Sequence, residues 1–244
     1  MLGYIRYGDG PKRPETGLLR LPAGTMAVLT LREERWPMAL TARRRAMRGA
    51  ELLLDQGVRR AVFPLDFPYT AAFIRRGICP VETLPLERRL AASAVRRRLD
   101  GLGLDRTRAS AAVSAGGLDQ YVMDTVRDLA LSYRYVLLWT PEGGSAFARQ
   151  LRREYGASIL TEPGAEQLDR ADALTLFAPR GDLALKNPVL YTLYPGGGAR
   201  GLGLRPPAAI REWADPNCDM GQLAAALHSL GAVTAEQLLA EIPC

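Results

Sequence analysis

The hydrophobic pattern of this chain changes period repeatedly. Short apolar runs at residues 2–7, 26–31, 60–65, 78–81, 109–114, 135–139, 158–160, 173–177 and 189–194 have the length of strands. The run at 135–139 is apolar enough for a central strand. Between the runs, apolar residues recur every three or four positions, the spacing of one helix face. Ala46, Met47, Ala50, Leu53 and Leu54 form such a stripe, as do Leu86, Leu90, Ala94 and Leu99. A third joins Leu118, Tyr121, Val122, Val126 and Leu129, with Asp124 and Asp128 on the other side. Strand, turn, helix, strand, repeated, builds parallel sheets.

Turn chemistry punctuates the pattern. Gly8-Asp9-Gly10-Pro11 and Pro22-Ala23-Gly24 divide residues 1–36 into a small β element. Gly57 and Gly77 stop helices, Ser145 is placed to cap the helix that Gly156 ends, and Thr234 to cap the last one. The run Gly101-Leu102-Gly103 marks the one boundary, giving an N-terminal lobe of 1–104 and a second domain of 105–244.

Two glycine turns follow adjacent strand runs. The first is Ser114-Ala115-Gly116-Gly117-Leu118-Asp119-Gln120-Tyr121, and the second contains Gly143 and Gly144. Glycines between a strand and a helix let backbone approach a phosphate, and the helix start adds free amides and a positive dipole. The stretch resembles the nicotinamide-dinucleotide domain of Rossmann-type dehydrogenases, nearest the shikimate dehydrogenase and glutamyl-tRNA reductase group, in a degenerate form. The resemblance implies a mainly parallel Rossmann-like sheet with helices on both faces. A smaller N-terminal α/β lobe bearing the β element completes the expected fold. The diagnostic Gly-x-Gly-x-x-Gly spacing is lost, Asp119 brings negative charge toward a pyrophosphate position, and Trp139-Thr140-Pro141-Glu142 displaces the ribose-binding acid. The lysine–aspartate pair that shikimate dehydrogenases use has no counterpart, because the lysines are Lys12 and Lys186 alone.

Parallel sheets place ligands beyond the carboxyl ends of their strands. Gly116, Gly117, Gly143 and Gly144 are thus candidates for one wall of a ligand site. Asp66 and Tyr69, after the run at 60–65, are candidates for the other. Asp66 has a second reading, as the cap of a helix starting near Pro68.

Charge adds an asymmetry. The net charge is +6. Residues 1–108 carry 21 Lys/Arg against 11 Asp/Glu, and residues 109–244 carry 11 against 15. A basic half suits nucleic acid or an anionic ligand. Arg43, Arg44, Arg45 and Arg48 are not interleaved with aromatic residues, which argues against a single-stranded nucleic acid platform.

Other chemistries lack their residues. His228 is the only histidine and lies near a helix end, where a structural role suffices. No P-loop, nucleophile elbow or metal-ligand cluster occurs, and Cys79, Cys218 and Cys244 are few and far apart, as in a reducing compartment. The cytoplasm is the expected location, with no run of the ~20 apolar residues that cross a membrane. Gly196–Gly203, with Arg200 and Arg205, reads as a hairpin tip or an anion-binding loop. The expectation is a ligand-binding or regulatory protein of bacterial texture, with no catalysis, cofactor or metal, and a small anionic ligand. An NAD(P)-dependent oxidoreductase with an aberrant motif is the first alternative, and an arginine-rich nucleic-acid or partner-binding module the second.

Overall fold

The computed structural model describes residues 1–33, 39–197 and 200–240. The chain forms two compact units, Met1–Thr83 with residues 204–240, and Leu84–Gly203. Each is built on a five-stranded sheet.

The first unit opens with β1 (Leu2–Gly8), β2 (Glu15–Leu21) and β3 (Gly24–Arg32). Next come α1 (Ala39–Asp55), β4 (Arg60–Val62), α2 (Thr70–Arg75) and β5 (Cys79–Pro80). The sheet order is β2-β3-β1-β4-β5, parallel except for β2, which pairs antiparallel with β3. The β element expected at residues 1–36 is thus part of the main sheet, although residues 34–36 lie outside the described ones. Helix α1 buries Ala46, Ala50 and Leu53 against Leu29 and Leu31. Gly49 permits the close approach, since a Cβ there would stand 3.0 Å from methyl carbons of both leucines.

The second unit begins with α3 (Leu84–Gly101), then β6 (Ser110–Ser114), α4 (Gln120–Ala130), β7 (Tyr135–Trp139) and α5 (Gly144–Tyr155). It continues through β8 (Leu160–Thr161), α6 (Ala165–Asp169), β9 (Ala173–Leu176) and β10 (Val189–Thr192). All five strands are parallel, in the order β10-β9-β6-β7-β8. Numbered from β6, that order is 5-4-1-2-3, the doubly wound Rossmann arrangement. β7 lies inside the sheet between β6 and β8, as its unbroken apolar run requires. Helices α3, α4 and α5 contact strands β9 and β10, β6 and β7, and β8 in turn. The opposite face has a thinner cover. There, Leu168 of α6 and Leu183 and Leu185 of the coil before β10 pack with Ala112, Leu137, Leu174 and Leu176.

The chain then returns to the first unit through α7 (Ala208–Arg211), α8 (Met220–Ser229) and α9 (Ala235–Ala240). Gln222 Oε1 accepts from the Phe63 amide at 3.0 Å, and the Tyr4 hydroxyl accepts from the Asp215 amide at 2.7 Å. The division at Thr83 and Gly203 differs from the 104/105 boundary expected from the glycine run. Helix α3 buries its stripe on the second sheet, and residues 204–240 close on the first.

Helix ends refine the sequence reading. Thr234 caps α9 as expected, and Gln237 completes a capping box with it. Ser145 does not cap α5. Gly143 holds the N-cap position, and the Ser145 hydroxyl lies 3.5 Å from that of Thr161. Gly156 ends α5 in the left-handed conformation, at φ +68°. Among the described residues no helix is long and apolar enough to cross a membrane.

Candidate functional site

Parallel strands β6 and β9 are neighbours whose chains leave in opposite directions, so the switch point of the second sheet lies at their carboxyl ends. From β6 the chain turns through Ala115, Gly116, Gly117 and Leu118 before Asp119 starts α4. Among the described residues, the amides of Gly116, Gly117 and Leu118 donate no hydrogen bond within the chain. Three amides without an internal acceptor thus precede the 11-residue helix α4, at the end where backbone amides and the helix dipole favour negative charge.

The second glycine turn lies against the first. Gly143 has φ +79°, and a Cβ on it would stand 3.1 Å from Leu118 Cδ1. Gly116, Gly117, Gly143 and Gly144 are therefore brought together, as adjacent parallel strands β6 and β7 dictate.

Asp119 does not stand as a free charge. Its Oδ1 accepts from the Val122 amide at 2.9 Å, an N-cap bond, and its Oδ2 lies 3.5 Å from Arg88 Nη1. Arg88 also donates to the carbonyls of Leu193, at 2.8 Å, and Phe177, at 3.4 Å. One guanidinium on α3 thereby ties the ends of β9 and β10 to the start of α4. The repulsion that the sequence implied for an incoming phosphate is reduced by this internal cation.

The end of β7 carries Trp139 where a dinucleotide domain places its ribose-binding acid. Arg180, beyond the end of β9, reaches back across β6 to lie 3.8 Å from the Trp139 ring centroid. Its Nη1 is 3.5 Å from Ser114 Oγ, and Nε and Nη2 donate to Asp182 at 2.6 and 2.5 Å. The side chain is only 10% exposed. The Asp182 hydrogen bond raises the Arg180 pKa, and the same bond holds Asp182 below the usual carboxylate range. Sequence reasoning missed Arg180, since nothing local distinguishes it from the other arginines. The usable signal was its place just after the strand at the switch point.

Asp66 and Tyr69 belong to the first unit, beyond the end of β4. Tyr69 packs in an aromatic cluster, with ring centroids 5.5 Å from Phe67 and 6.3 Å from Tyr7. A hollow large enough for about one water is lined there by Tyr7, Lys12, Arg32, Arg45 and Tyr69. Burial and the neighbouring Tyr69 raise the Tyr7 pKa. Asp66 is exposed, and among the described residues its carboxylate has no hydrogen bond or ion pair. It does not cap α2, whose N-cap position is Tyr69 with no side-chain bond.

His228 Nδ1 lies 3.1 Å from the Val233 carbonyl at the end of α8. Cys79 is exposed and Cys218 buried, while Cys244 lies outside the described residues. Among the described residues no group of three or more His, Cys, Asp or Glu converges. In the Gly196–Gly203 run, Gly198 and Ala199 lie outside the described residues. The rest is tied down at both ends, with Thr192 Oγ1 donating to the Gly197 carbonyl at 2.7 Å and the Leu202 amide to Glu87 at 3.3 Å.

No family model matches the sequence. No curated protein matches it either. Among solved structures, the chain is similar to L-tryptophan dehydrogenase from Nostoc punctiforme, at 17% identity and a TM-score of 0.32. That match covers 74% of this chain and 57% of the dehydrogenase. A dipicolinate synthase chain from Bacillus halodurans gives 15% identity and 0.37, over 75% and 66% of the two chains. Quinate dehydrogenase from Corynebacterium glutamicum, in complex with NAD, gives 12% and 0.36, over 99% and 96%. Likenesses this loose leave the strand order itself to carry the fold: the second unit is a Rossmann-type α/β sheet.

Proposed function

We propose that the second unit binds a small phosphate- or carboxylate-bearing ligand at the β6–α4 turn, and that the protein does not transfer hydride. The observation that carries this reading is the set of unbonded amides at Gly116, Gly117 and Leu118, ahead of α4 and beside the Gly143 turn. Backbone amides and a helix start favour an anion without prescribing its organic part. The absence of hydride chemistry is supported by Trp139 and Arg180, which fill the ribose-acid position with a stacked cation. Lys12 and His228 lie in the first unit, and Lys186 lies in the coil before β10.

One observation favours the oxidoreductase alternative. Asp119 is capped and paired with Arg88, so it opposes a pyrophosphate less than its sequence position implied. Isothermal titration with pyrophosphate, ADP-ribose and the four nicotinamide dinucleotides separates the readings. Binding of pyrophosphate or ADP-ribose that weakens in Gly117→Ala supports the anion site. Micromolar binding of NAD(H) or NADP(H) with the nicotinamide adding affinity over ADP-ribose overturns the non-hydride reading. No binding of any of the six overturns the site.

A further inference from the structure

The opposite edge of the second sheet holds a cavity of about 630 Å³, within the range of small-molecule sites. Its lining begins where the strands begin, with Ser110 of β6, Tyr135 of β7 and Ile159 beside β8. It is therefore separate from the glycine turns at the carboxyl ends.

The cavity exists because the β8–β9 crossover is short. Helix α6 has five residues, ~7.5 Å of cover at 1.5 Å per residue, and buries Leu168 toward the middle of the sheet. The outer strands on that face stay open. Leu160, opposite Leu137 in the β7–β8 ladder, is 48% exposed, and Tyr135 is 49% exposed. Two large apolar side chains on one face leave an uncovered apolar floor.

The rim is cationic. Arg108, Arg134 and Arg170 line the cavity, and no acidic residue does. Arg108 and Arg134 precede adjacent strands in which Ser110 is paired with Tyr135, so both project from the same sheet edge. Arg134 lies 5.6 Å from the Tyr135 ring centroid. Arg170 is paired with Glu166, but both are more than three-quarters exposed, where such a pair holds weakly. A second carboxylate beside the lining, Asp172, accepts from the Ser110 amide and hydroxyl at 2.8 Å and is taken up there.

We infer that this groove is a second binding site, for a small amphiphilic anion. An aromatic or aliphatic body lies on Tyr135, Leu137 and Leu160, and a carboxylate, sulfonate or phosphate meets the arginines. Charge selects this occupant. A second copy of the chain would set three arginines against three arginines, and a neutral apolar ligand would leave the rim unpaired.

The test is titration with 8-anilinonaphthalene-1-sulfonate, which has an aromatic body and one anionic group. The expected result is saturable one-to-one binding, displaced by decanoate and not by decanol. Arg108→Gln with Arg134→Gln, both at exposed positions, should weaken it about tenfold, the loss expected for charged hydrogen bonds. Leu160→Glu should abolish it, and Gly117→Ala should leave it unchanged, which separates this site from the β6–α4 turn. Circular dichroism and melting temperature confirm that each variant is folded, and the arginine variant decides if Leu160→Glu is not. Several results overturn the inference. They are binding that does not saturate, binding indifferent to the arginine substitutions, equal displacement by decanol, or a dimer at micromolar concentration that Leu160→Glu dissociates.

Discussion

The Arg180 guanidinium rests 3.8 Å from the centroid of the Trp139 ring, joining the ends of two strands that have β6 between them. Planar stacking, an ion pair to Asp182 and the approach to Ser114 Oγ combine in one side chain that is 10% exposed. A cation so enclosed over an indole is worth about 1–2 kcal/mol.

Arg180→Ala should accordingly lower stability by about 1–2 kcal/mol in urea unfolding and shift Trp139 emission to the red. Arg180→Lys keeps the charge but not the planar fork, so it should recover only part of the loss. An Arg180→Ala midpoint equal to that of the parent protein would show that the stack contributes nothing.

Asp119 has two separable jobs. Asp119→Asn keeps an oxygen for the Val122 amide and loses the Arg88 charge, whereas Asp119→Ala loses both. The alanine variant should cost about 1 kcal/mol. The asparagine variant should cost less, because the carboxylate is half exposed and its ion pair is screened. Equal losses in the two variants would assign the effect to the ion pair instead of the cap.

Much of this architecture is legible in the pattern of apolar positions. The runs at 109–114, 135–139 and 173–177 become β6, β7 and β9, because a strand buried on both faces admits few polar residues. The two glycine turns were legible for the same reason, as a strand and its crossover helix need a turn between them. What the pattern conceals is set by contacts far apart in sequence. Leu84–Gly101 reads as one amphipathic helix whichever sheet it covers, so the division of contacts at Thr83 leaves no local mark. Arg180 finds Trp139 across 41 positions, and Arg88 finds Asp119 across 31. Asp66 shows the converse: its sequence context fits a helix cap, but α2 begins at Thr70, beyond its reach.

Alkaline pH should unfold the first unit through two buried acids. Burial pushes the Cys218 thiol up from 9.0 to about 12 and the Tyr4 hydroxyl up from 10.0 to about 12, in each case against a smaller opposing hydrogen bond. In the unfolded chain both lose their protons earlier, so the folded state binds more protons in this window. Stability is full below about pH 9 and falls as pH rises toward about 12, by about 1.4 kcal/mol per pH unit for each group titrating. Urea midpoints between pH 8 and 10.5 measure the slope, and Cys218→Ala should make it shallower. In a Cys79→Ser, Cys244→Ser background, a thiol reagent at pH 8 should label Cys218 only as fast as the protein opens. A flat profile with rapid labelling would mean that the thiol is accessible.

The glycines of the candidate site make opposite predictions. Gly143 has φ +79°, and a Cβ would press on Leu118 Cδ1 at 3.1 Å, so Gly143→Ala meets both backbone strain and a contact that must give. A loss of about 1–2 kcal/mol is expected from the left-handed conformation alone. Gly117 lies outside that region, and a Cβ there meets nothing within 4 Å, so Gly117→Ala should leave the unfolding midpoint nearly unchanged. The same methyl would stand in open space on the turn that carries the proposed anion site. Gly117→Ala should thus weaken phosphate-type ligands without weakening the fold. Differential scanning calorimetry with and without pyrophosphate reads both effects in one experiment. A Gly117→Ala variant that loses stability with no ligand present would assign this glycine to the turn itself, and the site would lose its most direct support.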